Sequence, residues 1–228
     1  MLYIVSTPIG NLADMSLRAI ETLRSVDFVL SEDTRKTGVL LTHFEIKKPQ
    51  LSFREDNEER VLPRLMDYLK NGKNLALVSD AGTPAISDPG FTLVRAAIKA
   101  DIPITAIPGP TALISALVLS GLAVHSFTFR GFPPRKTGPR KRWLEIDLQS
   151  PHTLIFYESP YRLKSFLSDA LEVFGNRQAV VANDLTKKFE TVYRSTLADL
   201  VDQFEDEKVL GEYCVLIEGV EPNLVKTD

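Results

Sequence analysis

The sequence predicts an α/β protein with two domains. Short apolar runs typical of buried strands alternate with segments whose apolar residues recur at helical spacing along nearly the whole chain. The pattern shifts near residues 112–122, because the strands before it read as parallel and "FTFRGF" (127–132) alternates as an exposed or antiparallel strand does. We therefore predict an N-terminal domain of residues 1–115 and a C-terminal domain of residues 116–228.

The first half contains four short apolar strands, each followed by turn residues or a helical pattern. Leu17, Ile20 and Leu23 share one helix face, and a later helix is expected to begin at an Asn57 cap and to end at Gly72. The predicted strands are 2–6, 28–32, 75–79 and 104–107. The predicted helices are 16–24, 34–43, 57–72, 90–100 and the segment from Pro110 to Gly121.

The second half continues the alternation around a Pro- and Gly-rich basic segment. One helix is predicted to start with Ser159 as cap and Pro160 as first helical residue and to end at Gly175, and another to start at Thr196. The predicted strands are 127–132, 153–158, 179–184 and 213–218.

The bulk properties exclude several classes of protein. The chain has 228 residues and a formal net charge of −3, so any surface for nucleic acid must be local. No apolar run approaches the length that spans a membrane, and the N-terminal residues do not resemble a signal peptide. The single cysteine, Cys214, lies in a predicted buried strand, so we expect no disulfide and a cytoplasmic location.

Three turn-rich loops directly follow predicted strands in the first half. They are "TPIGN" (7–11), "SDAGTPAISDPG" (79–90) and "PGPTA" (108–112). Ligands of open α/β sheets bind at the carboxyl ends of strands, and Gly and Pro give such loops close approach and stiffness. The three loops together therefore predict a ligand cleft, although any one of them alone is more readily interpreted as an ordinary connection.

Common ligand motifs are absent from the sequence. It has neither a P-loop nor the glycine fingerprint of dinucleotide sites, and no nucleophile elbow. His43, His125 and His152 are scattered, so we predict no metal site. The residues alone lead to a small-molecule-binding α/β protein.

A second signal is the basic segment "RGFPPRKTGPRKRW" (130–143). It interleaves Phe132 and Trp143 with cations and has no acidic residue, so we expect a mobile loop that neutralises phosphates and stacks on bases. The alternative is a solvated loop without a partner. The predicted RNA-binding cations are Arg130, Arg135, Lys136, Arg140, Lys141 and Arg142.

Several blocks along the chain resemble one known family. "LYIVSTPIGNLADMSLRAI", "SEDTRKTGVLL", "LVSDAGTPAISDPGF", "IPGPTALISAL", "FRGFPPRK", "TLIFYESPYRL" and "LTKKFE" are similar, in order, to the signature blocks of ribosomal RNA small subunit methyltransferase I, within the tetrapyrrole methylase superfamily. The blocks run from residue 2 to about residue 219.

This resemblance implies two dissimilar α/β domains of the tetrapyrrole methylase type, with S-adenosylmethionine in the cleft between them, in a homodimer. It also implies methyl transfer to the ribose 2′-hydroxyl of a cytidine in the decoding region of small-subunit ribosomal RNA. The substrate would be that RNA or the assembled small subunit, with no membrane involved.

The resemblance also assigns cofactor contacts by position. The long loop would wrap the methionine and ribose parts of the cofactor, mostly through its backbone. The residues so implied are Pro8, Val78, Ser79, Asp80, Thr83, Thr111, Ala112, Glu158 and Leu185.

A ribose hydroxyl is a poor nucleophile, so a proton acceptor would help the reaction. We hypothesise that Glu32 or Asp33 accepts the proton, while Arg35 and Lys187 position phosphate. The alternative is that Glu32, Asp33 and Arg35 form only a helix cap and an ion-pair cluster.

Two other functions stay open at this point. One is methylation of a corrin or porphyrin precursor, which would leave the basic segment without a role. The other is a non-catalytic ribosome-assembly factor that binds the cofactor.

Overall fold

A computed structural model of the chain describes residues 1–220. These fall into two compact units, one of residues 1–111 and one that begins at Ala112. The predicted α/β class is confirmed in both units, which differ in the direction of their strands. Within the described residues, no helix is long and apolar enough to cross a membrane.

The first unit is a parallel five-stranded sheet with helices between its strands, in the order β3-β2-β4-β1-β5. Its strands are β1 (Leu2–Val5), β2 (Phe28–Ser31), β3 (Gln50–Ser52), β4 (Leu75–Val78) and β5 (Ile104–Ile107). Its helices are α1 (Leu17–Ser25), α2 (Thr34–His43), α3 (Glu58–Lys70) and α4 (Phe91–Lys99).

Local chemistry explains where these helices begin and end. The Ser16 hydroxyl accepts a hydrogen bond from the Ala19 N–H and caps α1, and Gly72 takes a φ of 79° just after α3. Asn57 occupies the N-cap position of α3, as predicted, but its side chain makes no capping hydrogen bond. Its amide is buried and instead accepts from the Arg54 N–H and donates to Ser52, which ties α3 to the end of β3.

Alternate residues of the strands point to opposite faces of the sheet and pack into two separate hydrophobic cores, one on each face. Val5, Val29 and Val78 pack with α1 and α2, whereas Leu2, Leu75 and Leu77 pack with α3 and α4. The helices leave β1 and β4 toward opposite sides of the sheet. The carboxyl ends of these two neighbouring strands therefore form the switch point at which open α/β sheets bind ligands.

The second unit has a mixed five-stranded sheet in the order β6-β7-β10-β8-β9. Only β6 and β7 are parallel neighbours, and the other pairs are antiparallel. Its strands are β6 (Phe127–Gly131), β7 (Thr153–Glu158), β8 (Gln178–Asn183), β9 (Thr191–Thr196) and β10 (Tyr213–Ile217). Its helices are α5 (Ala112–Ser120), α6 (Thr137–Glu145), α7 (Leu163–Phe174) and α8 (Leu197–Glu205).

Three helices cover one face of this sheet and α5 covers the other. Phe166, Phe204 and Leu144 from α7, α8 and α6 pack on Phe156 and Val215. The helix α5 packs against β7, β9 and β10. Cys214 is buried in β10, which raises the pKa of its thiol to about 12 and keeps it a small apolar side chain.

The structure corrects three expectations for this half. Residues 137–145, expected to lie in a mobile loop, form α6. Helix α7 begins at Leu163 rather than after Ser159 and Pro160. The strand β9 was missed, whereas the predicted Thr196 cap is confirmed, since its hydroxyl accepts a hydrogen bond from the Asp199 N–H.

Candidate active site

The loops after β1, β4 and β5 lock together at one edge of the first sheet. The backbones of Thr7 and Gly82 exchange two hydrogen bonds of 2.9 and 3.0 Å. The Thr83 hydroxyl lies 2.9 Å from the Ser6 hydroxyl and donates to the Pro110 carbonyl at 3.3 Å. The three loops singled out from the sequence therefore form one interlocked assembly.

Glycine is needed where two of these loops meet. A Cβ on Gly109 would lie 2.9 Å from the Cβ of Ser6, so only glycine lets the third loop pack against the end of β1. Gly82 has a φ of 83°, in the region that favours glycine. Ala85 and Ser87 share that region without being glycine, at φ of 68° and 62°, which marks residues 79–90 as a strained loop held by its surroundings.

Carboxylates gather beside this loop at the ends of β2 and β4. The Asp80 N–H donates to Glu32 Oε2 at 3.2 Å, and the Asp33 N–H donates to Asp80 Oδ1 at 2.9 Å. Lys36 Nζ lies 2.8 Å from Asp80 Oδ2. Glu32 and Asp80, from separate loops, are thus brought together.

The electrostatics of the predicted proton acceptors differ. Partial burial raises the pKa of Glu32, and the neighbouring charge of Asp80 adds to this, while the Asp80 N–H opposes it. The Asp33 carboxylate accepts from the side chain and the N–H of Arg35, which holds its pKa well below the usual range. Asp33 also caps α2, so it matches the helix-cap and ion-pair alternative.

Asp88 is a further member of this cluster that the sequence analysis did not assign. Burial raises its pKa to about 6, the charges of Glu32 and Asp80 add to this, and a hydrogen bond from Ser79 opposes it. The only sequence signal was its place in the "SDPG" turn, the second turn of the loop.

These residues fit a cationic small molecule such as S-adenosylmethionine. The loops offer backbone groups, and their close packing depends on Gly109, where a Cβ would meet Ser6. Glu32, Asp80 and Asp88 supply negative charge that favours a sulfonium and an ammonium group. Pro8 and Val78 adjoin the interlocked segments, and Ser79 and Thr83 belong to them. Thr111 ends the first unit, and Ala112 is the first residue of α5.

In the second unit, Glu158 ends β7 with a fully buried carboxylate. Its Oε1 accepts from the Ser159 N–H at 2.7 Å and pairs with Arg162 at 2.7 Å, whereas its Oε2 has no hydrogen-bond partner within the described residues. Burial raises the pKa of Glu158. An orphaned buried carboxylate oxygen is uncommon and is compatible with the cofactor contact that the resemblance implies.

The loop after β8 holds the other two predicted residues of this unit. Leu185 is buried, and Lys187 Nζ pairs with Asp184 at 2.7 Å and Glu212 at 2.8 Å. Its hydrogen bonds to these carboxylates raise the pKa of Lys187, although partial burial opposes them. Lys187 is therefore a charged amine held at a fixed position.

The basic segment divides into internal and exposed cations. Arg140 is fully buried, where its Nε donates to Asp169 Oδ2 at 2.7 Å and another nitrogen donates to the Ser165 carbonyl at 3.2 Å. The expectation that Arg140 contacts RNA is therefore corrected, because this side chain joins α6 to α7 inside the unit. A charge run in the sequence does not reveal which of its members faces inward.

The other cations of the segment have different partners. Arg130 pairs with Asp147 at 2.7 Å and stacks over the ring of Trp143, which itself packs on the core. Lys141 pairs with Glu172. Arg135, Lys136 and Arg142 are exposed.

The parallel sheet of the first unit, with interlocked loops at its strand ends, places the protein in the class of α/β proteins that can bind a small ligand there. The family model for tetrapyrrole (corrin/porphyrin) methylases matches residues 1–201. The chain belongs to this family, and it is a methyltransferase that uses S-adenosylmethionine as methyl donor.

Curated relatives match along nearly the whole chain. A protein of Streptococcus pyogenes serotype M3 named ribosomal RNA small subunit methyltransferase I is 48% identical over 220 residues, covering 96% of this chain and 77% of that protein. A protein of the same name from Thermotoga maritima is 44% identical, covering 96% of this chain and 99% of its own length.

Solved structures share the fold at low identity. Uroporphyrin-III-C-methyltransferase from Thermus thermophilus has a TM-score of 0.63 at 20% identity, covering 96% of this chain and 94% of that one. The methyltransferase CobJ has a TM-score of 0.69 at 16% identity with the same coverage. These two likenesses bear on the fold alone.

Proposed function

We propose that the protein methylates the ribose 2′-hydroxyl of a cytidine in the decoding region of small-subunit ribosomal RNA. The observation that carries the proposal is the 44–48% identity, over at least 96% of this chain, to relatives named ribosomal RNA small subunit methyltransferase I. The exposed cations of the basic segment support a polyanionic substrate.

When bound, S-adenosylmethionine supplies a methyl group that is already activated for transfer. The residues proposed to hold it from the first unit are Pro8, Val78, Ser79, Asp80, Thr83 and Thr111. Those proposed from the second unit are Ala112, Glu158 and Leu185.

Glu32 is the stronger candidate for the proton acceptor. A general base works best when its pKa is close to the working pH, and the pKa of Glu32 is raised while that of Asp33 is lowered. Glu32 would take the proton of the ribose hydroxyl as that oxygen displaces the donor's sulfur, which leaves as a neutral thioether, from the methyl carbon, and the Asp80 N–H would hold the carboxylate in place. Asp33 would act by capping α2 and positioning Arg35.

The proposed RNA contacts are the exposed cations. Arg35, with a side chain 89% exposed, remains the candidate phosphate contact of the first unit. Arg135, Lys136 and Arg142 are the candidates of the second unit, and Lys187 would position phosphate or the ribose from its fixed place.

We further propose a cytoplasmic homodimer. Ribosomal RNA is modified where ribosomes are assembled, which suggests the location. Helix α5 leaves Val118 71% exposed and Ile114 41% exposed, and such apolar side chains suit contact with a second copy.

The deciding experiment offers tritiated S-adenosylmethionine, small ribosomal subunits and naked small-subunit RNA to the protein. We expect label in RNA that is recovered, after digestion, as 2′-O-methylcytidine. Label in a corrin or porphyrin precursor, with none in RNA, would contradict the proposal and identify the protein as a methylase of that precursor. Cofactor binding without transfer to any substrate would favour the assembly factor.

A further inference from the structure

Three exposed aromatic side chains lie at one edge of the second sheet. Strand β6 is parallel to β7, and β7 and β8 are both antiparallel to β10, so β6, β7 and β8 end at the same edge. Phe132 directly follows β6, Tyr161 lies in the turn after β7, and Phe189 lies in the loop after β8. We call these three residues the aromatic edge.

The exposure of these rings is unusual for their size. Tyr161 is 97% exposed, Phe189 is 74% exposed and Phe132 is 54% exposed. Large aromatic side chains normally gain free energy by burial, and the described part of the protein covers none of these three fully. The Phe132 ring lies 5.6 Å from the ring of Tyr157, so it is supported from beneath while its outer side stays open.

The turn that carries Tyr161 is held rigidly although its ring is free. Just before it, the Ser159 N–H donates to the buried Glu158 carboxylate at 2.7 Å. Just after it, Arg162 pairs with the same carboxylate at 2.7 Å and donates to the Pro133 carbonyl at 3.3 Å. Arg162 therefore joins the Tyr161 turn to the segment that follows Phe132.

Exposed cations adjoin two of the rings in the sequence. Arg135 and Lys136 follow Phe132 and are exposed. Lys188 is exposed and lies 5.4 Å from the centre of the Phe189 ring. Lys187 is already paired with Asp184 and Glu212, so its charge is largely balanced.

The geometry suits a run of unpaired nucleotides. Neighbouring strands are about 4.8 Å apart, so the edge from β6 to β8, three spacings wide, spans about 14 Å. Exposed rings interleaved with cations are the pattern by which proteins bind single-stranded RNA, since the rings stack on bases and the cations contact phosphates. The exposed Lys136 and Lys188 beside the rings favour RNA over a protein partner, because lysine is depleted at protein interfaces.

We infer that the aromatic edge stacks unpaired bases of the RNA substrate, with Tyr161 as its principal ring. This inference deepens the proposed function and rests on it for the identity of the RNA. The stacking itself needs neither the methyl donor nor the reaction.

The test measures binding of a single-stranded oligoribonucleotide of mixed sequence that carries one 2-aminopurine, with no methyl donor present. Stacking on a ring quenches the fluorescence of 2-aminopurine. We expect Tyr161→Ala to weaken affinity by roughly five- to a hundredfold and to reduce the quenching, as expected when one base no longer stacks on a ring. Phe189→Ala should weaken affinity to a smaller extent.

Matched variants separate stacking from other effects. Tyr161→Phe keeps the ring and should bind as the wild type does, whereas Tyr161→Leu keeps apolar bulk and should bind as Tyr161→Ala does. Ile146→Ala removes a side chain that is 70% exposed at the end of α6 and should change nothing. Circular dichroism and light scattering on every variant monitor the fold and the oligomeric state.

Unchanged RNA affinity in Tyr161→Ala and Phe189→Ala would overturn the inference. The same holds if Tyr161→Leu quenches 2-aminopurine fluorescence as strongly as the wild type does. A changed oligomeric state with unchanged RNA affinity would overturn it in favour of a protein contact. Failure of the proposed function is distinguishable, because the wild type would then quench 2-aminopurine but place no methyl group in ribosomal RNA.

Discussion

At the residue scale, chemically similar side chains in one short stretch have different tasks. Glu32 and Asp33 are neighbours in sequence, yet burial raises the pKa of one while Arg35 lowers the pKa of the other. The difference arises because Glu32 turns toward Asp80 and Asp33 turns toward the start of α2.

Replacing Glu32 by Gln keeps an acceptor for the Asp80 N–H but removes the proton acceptor. We expect Glu32→Gln to lower the rate of methyl transfer at saturating donor by roughly a hundredfold or more, a larger effect than the loss of donor affinity that follows from removing its negative charge. Asp33→Asn should lower the rate much less. Single-turnover transfer to small subunits measures both, and donor binding by calorimetry is the control. Equal losses in the two variants would contradict the assignment of Glu32.

Asp88 gives a prediction for stability against pH. Its pKa of about 6 in the folded protein lies above the ordinary value of 3.8, so the folded state holds the proton more tightly. The free energy of unfolding should therefore fall as pH rises from about 4 to about 6 and stay low above that.

Asn at position 88 cannot ionise. We therefore expect the free energy of unfolding of Asp88→Asn to exceed that of the wild type by about 1 kcal/mol at pH 7.5, after allowance for solvent screening of a partly exposed group. The two proteins should converge near pH 4. Urea unfolding at both pH values measures this, and Asp101→Asn, in an exposed turn, is the control. A wild type that is the more stable protein at pH 7.5 would contradict the prediction.

At the element scale, the contact between α6 and α7 depends on a buried ion pair. Arg140 is fully buried and pairs with Asp169, whose side chain is 9% exposed. Removing one partner strands a buried charge, whereas removing both leaves an apolar contact.

We expect Arg140→Met to lower the free energy of unfolding by about 3–5 kcal/mol. The double variant Arg140→Met with Asp169→Leu should recover most of that loss. Urea unfolding of the wild type, both single variants and the double variant measures these free energies. As a control, Arg142→Met, at an exposed position of the same helix, should change the free energy of unfolding little. Loss of RNA affinity in Arg140→Met without loss of stability would restore Arg140 as an RNA contact.

The packing of the loop after β5 on the end of β1 is a second property at this scale. In Gly109→Ala the new methyl group would lie 2.9 Å from Ser6 Cβ, so the loops must separate. We expect a loss of about 1–3 kcal/mol in donor binding, by analogy with overpacking in cores. Gly138→Ala is the control, since its Cβ would meet Arg142 at 3.7 Å, an ordinary contact. Calorimetry measures the affinity of each protein for S-adenosylmethionine. Equal affinities of Gly109→Ala and the wild type would contradict a role for this packing.

At the scale of the whole molecule, an acidic chain must bind a polyanion through a local surface. The formal net charge is −3, and much of the basic segment is neutralised internally by Asp147, Asp169 and Glu172. The proposed RNA surface is therefore smaller than the run of cations in the sequence indicates.

The salt dependence of RNA binding should reflect this smaller surface. Replacing Arg135 and Lys136 by Ala should reduce the slope of log affinity against log salt by about 0.7 for each phosphate that is no longer neutralised. Lys99→Ala, at an exposed position in the first unit, should leave the slope unchanged. A slope unaffected by the double variant would remove these two cations from the interface.

The sequence by itself determined the α/β class, most strands and helices, and the loops that gather at the first sheet edge, because these depend on local periodicity and turn chemistry. Only the tertiary structure decided the hydrogen-bond partners of Asn57, the burial of Arg140 and the helical conformation of residues 137–145. Their roles depend on partners distant along the chain, such as Asp169 for Arg140, and no local pattern records which charged side chain a neighbouring helix will bury. The opposite pKa shifts of Glu32 and Asp33 arise in the same way, since desolvation and long-range contacts exist only once the chain has folded.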